Sequence, residues 1–320
     1  MTTPAIRKLA ETRPNIEIDF LTYPPSNQIF EYNPYVKNVY AVPSKASFFD
    51  WLKIIKKLRK RDYALTIDFQ GSPRTALMGF LSGASQRIGF NFRGRSLFYT
   101  DPITIRPGIT YSPLHKLELL SPLGIESKDG KIDFFTGEQD RNKARKIVSD
   151  LGYDPKRPLV SVSPVSRRVY KVWPAENFAS VCDFLIKRHK AQILFLWGPG
   201  EYHFIQNVKD KMREHSMEDY DIPTIRESVA LQALVDLHIG NDNGPMHFAI
   251  STGTPTIAVF GKPLAENWTP PNTANHIGLE FDPGCKRKCF YPKCDLECLS
   301  LLTVESVIEA AEIQINRIFN

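Results

Sequence analysis

Short apolar runs alternate with stretches whose apolar residues recur at helical spacing, and this carries along nearly the whole chain. Thr3 followed by Pro4 reads as a helix N-cap and first-turn proline, opening a helix to about Glu11. Ile16–Tyr23 and Val36–Val42 read as strands, the second reached after the Asn33-Pro34 turn. Phe48–Arg61 (FFDWLKIIKKLRKR) predicts a helix with a basic outer face, followed by a strand over Ala64–Phe69. Arg74–Leu81 and Ser112–Leu123 predict helices, and Gly137–Leu151 a charged helix stopping at Gly152. After the proline-bearing linker Asp154–Pro158 the pattern restarts, with strands at Leu159–Ser163, Gln192–Trp197, Leu237–Gly240 and Thr256–Phe260. Between and after them, helices are predicted over Ala175–Arg188, Glu201–Glu214, Val229–Leu234, Pro245–Thr252 and Thr303–Phe319. Strands and helices alternating in this way build βαβ units around parallel sheets.

A chain of 320 residues suggests two domains. With 42% hydrophobic and 24% charged residues it is neither a disordered chain, a collagen nor a disulfide scaffold. Its 41 Lys+Arg against 35 Asp+Glu give +6, a mild excess that suits phosphorylated or acidic ligands without arguing for nucleic acid. The opening MTTPAIRK has no apolar run behind its charges, so it is not read as a secretory signal. No stretch reaches the ~18 apolar residues of a membrane span. Four of five cysteines crowd into Cys285–Cys298, a distribution expected of a reducing cytosol.

In an open parallel sheet, ligands sit beyond the carboxyl ends of the strands, where helix N-termini offer free N–H groups. Three such ends carry suitable chemistry. Ser163-Pro164-Val165-Ser166-Arg167-Arg168, running on to Lys171-Val172-Trp173-Pro174, places hydroxyls and a lysine for a diphosphate. Trp197-Gly198-Pro199-Gly200-Glu201 offers a glycine turn and a carboxylate for a ribose diol. Gly240-Asn241-Asp242-Asn243-Gly244-Pro245-Met246-His247 runs a small-residue turn straight into a helix. There Asp242 or Asn243 can cap the helix, and Gly244 lets a phosphate approach without Cβ interference. His247 reads equally as a packed core histidine, and Lys171 equally as a surface lysine. No G-x-G-x-x-G, G-x-x-x-x-G-K-[ST] or G-x-S-x-G occurs, which disfavours dinucleotide oxidoreductases, P-loop NTPases and α/β-hydrolases.

The stretch Asp242–Ala249, with Gly253-Thr254-Pro255-Thr256-Ile257-Ala258-Val259-Phe260-Gly261 behind it, resembles glycosyltransferase family 9, the ADP-heptose:lipopolysaccharide heptosyltransferases. Thr3-Pro4-Ala5-Ile6-Arg7, Asp68-Phe69-Gln70-Gly71-Ser72-Pro73-Arg74, Gly83…Arg87-Ile88-Gly89-Phe90 and Lys171-Val172-Trp173-Pro174 extend the likeness along the chain. The resemblance implies an α/β GT-B architecture, two Rossmann-like domains facing across a cleft. They would be an acceptor domain over 1–152, a nucleotide-sugar domain over 153–302 and a C-terminal helix, 303–320, crossing back to the first domain.

It further implies an inverting transferase with no metal and no cofactor, acting on ADP-heptose or a related nucleotide sugar at the cytosolic face of the inner membrane, in peripheral contact with that membrane's surface. The acceptor would be a lipid-linked core oligosaccharide. By position, Ser163, Ser166, Arg167 and Lys171 fall to the donor diphosphate and sugar, and Glu201 to the ribose. Asp242 falls to the sugar hydroxyls, and Asn243, Gly244, Pro245 and His247 line the same site, with Lys171 and Asp242 as the catalytic residues. Arg167 and Asn243 stand where hydroxyl residues are frequent in the family. Gln70, Arg74, Arg87, His115 and Lys116, with Arg93 and Arg95, would suit an anionic acceptor.

The family has a strand and a base-bearing Gly-Asp loop ahead of the Thr-Thr-Pro helix, whereas Met1 stands where that loop should end. The expectation is therefore a chain, truncated or degenerate, that binds nucleotide yet transfers sugar poorly. Asp68 is the first substitute base to test. Cys285-x3-Cys289-x4-Cys294-x3-Cys298 departs from the two-residue spacing usual for zinc and reads as free thiols rather than a metal site. A non-catalytic nucleotide-sugar binder and an epimerase or phosphorylase of the same shape are the alternatives.

Overall fold

A computed structural model describes residues 1–43, 45–92 and 94–319, so Arg93 falls outside the described residues. The chain divides into two compact units, Met1–Asp133 and Phe134–Asn320.

The first unit runs α1 (Thr3–Thr12), β1 (Asp19–Thr22), β2 (Asn38–Ala41), α2 (Phe48–Lys60), β3 (Leu65–Asp68), α3 (Pro73–Leu81), β4 (Gln86–Phe90), β5 (Asp101–Ile103) and α4 (Ser112–Glu118). All its strand pairs are parallel, but β1–β2 and β3–β4–β5 are separate sheets. Their edge strands β1 and β3 both line a cavity of about 620 Å³ in this unit, together with Ile6 and Leu9 of α1. Ala5 and Leu9 of α1 also pack against Leu117 and Leu120. The Thr3 hydroxyl does not cap α1; it accepts from the Asp133 N–H instead. Two strands, β4 and β5, were not expected. The polar QRIGF run conceals β4, where a Cβ on Gly89 would fall 2.2 Å from the Tyr99 ring. β5 is a three-residue edge strand carrying Pro102.

The second unit runs α5 (Glu138–Asp150), β6 (Leu159–Ser163), α6 (Ala175–His189), β7 (Gln192–Phe195), α7 (Tyr202–Lys209), α8 (Ile225–Gln232), β8 (Leu237–Asn241), α9 (Gly244–Thr252), β9 (Thr256–Phe260), β10 (His276–Glu280), α10 (Glu297–Ser300) and α11 (Val304–Phe319). Five parallel strands form one sheet in the order β10-β9-β8-β6-β7. Strands β6 to β9 are buried along their whole length, as continuous apolar runs covered on both faces must be. Because β7 lies on one side of β6 and β8 on the other, the winding reverses between β6 and β8. That is where doubly wound sheets bind ligands.

The expected boundaries shift. Ala144, Ile147 and Val148 of α5 pack on Leu159, Leu194 and Leu231, so residues 134–152 belong to the second unit rather than the first. Val307, Ala311 and Ile315 of α11 lie in the second unit's core, packed with α6, β9 and β10. The helix expected over Glu201–Glu214 stops at Lys209, and the Asp183 carboxylate takes the Arg213 and Glu214 N–H groups.

Candidate active site

The carboxyl ends of β6 and β8 bring the predicted donor residues together. Of the two residues expected to compete as helix cap, Asn243 takes the role: its Oδ1 accepts from the Met246 N–H. Its Nδ2 donates to the Ser163 carbonyl, Ser163 Oγ and Val165 carbonyl at 3.2, 2.9 and 3.0 Å. Ser163 is fully buried, so its hydroxyl holds the β6 end to the start of α9 rather than reaching a ligand. The Asn243 and Gly244 N–H groups have no partner among the described residues, and Pro245 has no N–H to offer. They form an anion-ready helix start.

Since Asn243 caps α9, Asp242 is free for another task. Its carboxylate is 3% exposed and lies 2.6 Å from Lys171 Nζ, whose side chain is 22% exposed. The Asp242 N–H bonds to the Val259 carbonyl, fixing the residue against β9. Lys171 is held by its neighbours. Trp173 is buried, donates Nε1–H to the Leu302 carbonyl, and gives its backbone N–H to Asn241 Oδ1. Asn241 Nδ2 in turn donates to the Pro164 carbonyl at 2.8 Å. Asn241, missed from sequence as a site residue, thus ties both ends of the Pro164–Trp173 loop to β8. Its position one residue before Asp242 was the available signal.

Ser166 is half-buried and its Oγ accepts from the Arg168 N–H. Arg167 is 84% exposed and stands 3.5 Å from Glu201 Oε1. Glu201 Oε2 accepts from the Gly198 N–H, closing the glycine turn and leaving Oε1 toward Arg167. His247 is half-buried beside Trp268, and burial lowers its imidazole to about 3, so it is neutral near pH 7. A fully buried histidine, His238 on β8, meets Ser161 Oγ and Gln232 at 2.9 and 3.0 Å in a polar cluster the sequence did not reveal.

The residues expected to bind the acceptor lie in the first unit and divide into two groups. Arg87 donates to the Phe98 and Ala84 carbonyls through Nε and Nη1, and His115 Nε2 meets the Ile109 carbonyl. Gln70 and Arg74 are exposed, with Arg74 5.3 Å from the Trp51 ring. Lys116 donates to the Phe69 carbonyl; burial pushes its ammonium down while the Asp68 carboxylate opposes that. Gln70 alone of these five lines the 620 Å³ cavity. Among the described residues no group of three or more His, Cys, Asp or Glu is arranged to hold a metal ion, and Cys285, Cys289, Cys294 and Cys298 are free. None of the described helices is long and apolar enough to cross a membrane.

Comparison with known proteins places this geometry. The family model for glycosyltransferase family 9 (heptosyltransferase) matches residues 51–299. The chain is 29% identical over 290 residues to lipopolysaccharide heptosyltransferase 3 of Escherichia coli K12, covering 84% of this chain and 81% of that protein. It is 26% identical to lipopolysaccharide heptosyltransferase 1 of Campylobacter coli, over 77% of this chain and 75% of that one. A family 9 glycosyltransferase structure from Veillonella parvula superposes with a TM-score of 0.89 at 24% identity, covering 99% and 93% of the two chains. E. coli heptosyltransferase WaaC, solved with ADP-2-deoxy-2-fluoro heptose, gives 0.72 at 18% identity, covering 98% and 94%. The fold is therefore GT-B, with two Rossmann-like units, and the chain belongs to glycosyltransferase family 9, the heptosyltransferases.

Proposed function

We propose that the second unit binds an ADP-activated heptose, or a related sugar. The chain would transfer that sugar with inversion and without a metal to the lipopolysaccharide inner core. One observation carries this reading: half-buried Lys171, paired with buried Asp242, stands at the sheet's switch point, next to the unpaired N–H groups at the start of α9. The relatives' printed activities and the ADP-sugar ligand of WaaC support the substrate class.

The acceptor hydroxyl oxygen attacks the anomeric carbon from the face opposite the diphosphate. The bond to the leaving oxygen breaks, and its electron pair stays on ADP. The negative charge that develops there needs fixed donors, and Lys171 with the Asn243 and Gly244 N–H groups supplies them. Such preorganised groups typically contribute several kcal/mol. Asp242 holds Lys171 in place and offers its free oxygen edge to a sugar hydroxyl. Glu201 Oε1 suits the ribose diol, with Arg167 beside it.

The acceptor proton must pass to a base, and this step favours a second reading, a donor-binding protein that transfers slowly. Asp68, the strand-end carboxylate of the first unit, already accepts from the Gln70 and Gly71 N–H groups and from the Tyr99 hydroxyl. Incubating the chain with ADP-heptose and a heptose-deficient lipopolysaccharide separates the two readings. Stoichiometric ADP release with an extended acceptor supports transfer, whereas ADP binding without product supports the second reading.

A further inference from the structure

Asn241 ties both ends of the Pro164–Trp173 loop to β8, but Lys171 sits between them, in the 3-10 turn Val169–Lys171. A single 3-10 turn holds its shape weakly by itself. The outer side of this one is open, with Arg168 exposed and Val169 66% exposed. What braces the turn is its middle residue, Tyr170. Its carbonyl accepts from the Lys262 N–H at 3.1 Å, just past the end of β9. A Cβ on the neighbouring Gly261 would fall 2.1 Å from that carbonyl oxygen, so glycine is what lets the two backbones meet.

The Tyr170 ring is held as well. It meets the Tyr291 ring edge-on, with centroids 4.9 Å apart. Lys262 Nζ lies over both rings, 5.3 Å from the Tyr170 centroid and 5.5 Å from that of Tyr291. One ammonium thus faces two rings, close enough for the attraction between a cation and the negative face of an aromatic ring. Tyr291 stands between Cys289 and Cys294, on a loop that takes no part in the donor contacts. That loop is fastened to the same end of β9. The Lys286 side chain is 1% exposed; its Nζ donates to the Phe260 and Pro263 carbonyls at 3.4 and 3.3 Å and pairs with Glu280. Asp282 Oδ1 takes the Gly284 and Lys286 N–H groups at 2.8 and 3.1 Å. Filling space behind the turn would ask only for aliphatic side chains. A lysine over two tyrosines asks for its charge and their rings.

We infer that Lys262 and Tyr291 are positioning residues for Lys171: the ammonium over the two rings fixes Tyr170, and Tyr170 fixes the adjoining lysine against Asp242. The inference rests on the proposed role of Lys171 at the departing diphosphate. A group that must stand where charge develops gains from a fixed backbone, because a small displacement costs a large factor in rate.

Two readouts on the full chain test it. One is the rate at which the N-hydroxysuccinimide ester of acetic acid acylates Lys171, read by peptide mass spectrometry against exposed Lys146. The other is kcat and KM for ADP release with ADP-heptose and a heptose-deficient lipopolysaccharide. In the wild type Lys171 is 22% exposed and engaged by Asp242, so it should react slowly. Lys262→Met keeps the stem without the charge, and Tyr291→Leu keeps bulk without the ring. Each should speed Lys171 acylation about fivefold or more as the turn opens locally. Each should also lower kcat about tenfold or more, with KM and melting temperature close to the wild type. Lys262→Arg and Tyr291→Phe keep the cation and the ring, and should stay within about twofold on both readouts. Unchanged acylation of Lys171 in Lys262→Met and Tyr291→Leu overturns the inference. So does faster acylation with an unchanged kcat, or a loss in the two conservative variants as large as in the other two. Faster acylation in a series where even the wild type releases no ADP would uphold the positioning and count against the proposed transfer instead.

Discussion

Lys171 Nζ and Asp242 Oδ2 lie 2.6 Å apart at the carboxyl ends of β6 and β8, and neither residue is needed as a helix cap. An ion pair with one partner almost fully buried is a poor source of stability but a good means of fixing a cation where charge will develop. Lys171→Ala should therefore lower turnover by about 10²–10³ while changing ADP affinity only a few-fold. It also strands the Asp242 carboxylate, so the melting temperature should fall. The double variant K171A/D242A should recover part of that stability and none of the turnover. Calorimetry beside steady-state ADP release checks both halves, and a turnover loss under threefold would contradict the role.

Gly244 offers a cleaner separation of ligand from fold. An added Cβ would meet only Phe248 Cζ, at an ordinary 3.7 Å, and the backbone is not in the left-handed region. The fold therefore has no need of glycine here, and Gly244→Ala should hold or slightly raise the melting temperature. If a diphosphate sits against this N–H, the methyl group should weaken ADP binding by about tenfold or more. An unchanged dissociation constant would move the phosphate elsewhere.

How much of this was legible in the sequence follows from which forces each residue answers to. The buried strands β6, β8 and β9 and the α9 turn were readable because continuous apolar runs and capping chemistry are local signals. The Lys171–Asp242 pairing was not, since 71 residues separate the partners and only the sheet order joins them. Asn241 and the Ser161–Gln232–His238 cluster escaped for the same reason: a buried polar residue is recognised by partners that sequence does not display. Arg87 and His115 are read as acceptor groups from their side-chain type alone, and the backbone carbonyls they bond in the fold are not displayed by the sequence. The unit boundary moved because the apolar stripe of α5 faces β6 and β7, which no linker composition records.

Burial lowers His238 and His247 to about 3 and His276 to about 4, against about 6.5 in an unfolded chain. Below pH 6.5 the unfolded chain takes up protons that the folded one refuses. The stabilisation from these neutral rings is thus complete above pH 6.5 and is lost as pH falls toward 3–4. For fully buried His238 the slope is about 1.4 kcal/mol per pH unit. Urea midpoints at pH 7 and pH 5 should show marked acid destabilisation. His238→Asn, which can still pair with Ser161 or Gln232, should flatten the profile by about one proton; parallel profiles would contradict the assignment.

Asp68 is the carboxylate at the end of β3, and its partners decide what a substitution there can test. Its Oδ1 takes the Gln70 and Gly71 N–H groups at 3.0 and 2.9 Å, and its Oδ2 takes the Tyr99 hydroxyl at 2.7 Å. Those three bonds fix the carboxylate in the turn and engage three of its roughly four acceptor sites. An asparagine can reproduce them, accepting the two N–H groups through Oδ1 and donating Nδ2–H to the Tyr99 oxygen. The Asp68-Phe69-Gln70-Gly71 turn should therefore survive Asp68→Asn with a melting temperature close to the wild type. If Asp68 only shapes that turn, whatever transfer the chain performs should stay within about threefold. General-base assistance typically contributes about 10²–10⁴-fold, so a base lost at this position would be unmistakable. Transfer measured at equal, saturating donor should thus be unchanged in Asp68→Asn, and a hundredfold fall in a fully folded variant would make Asp68 the residue that deprotonates the acceptor.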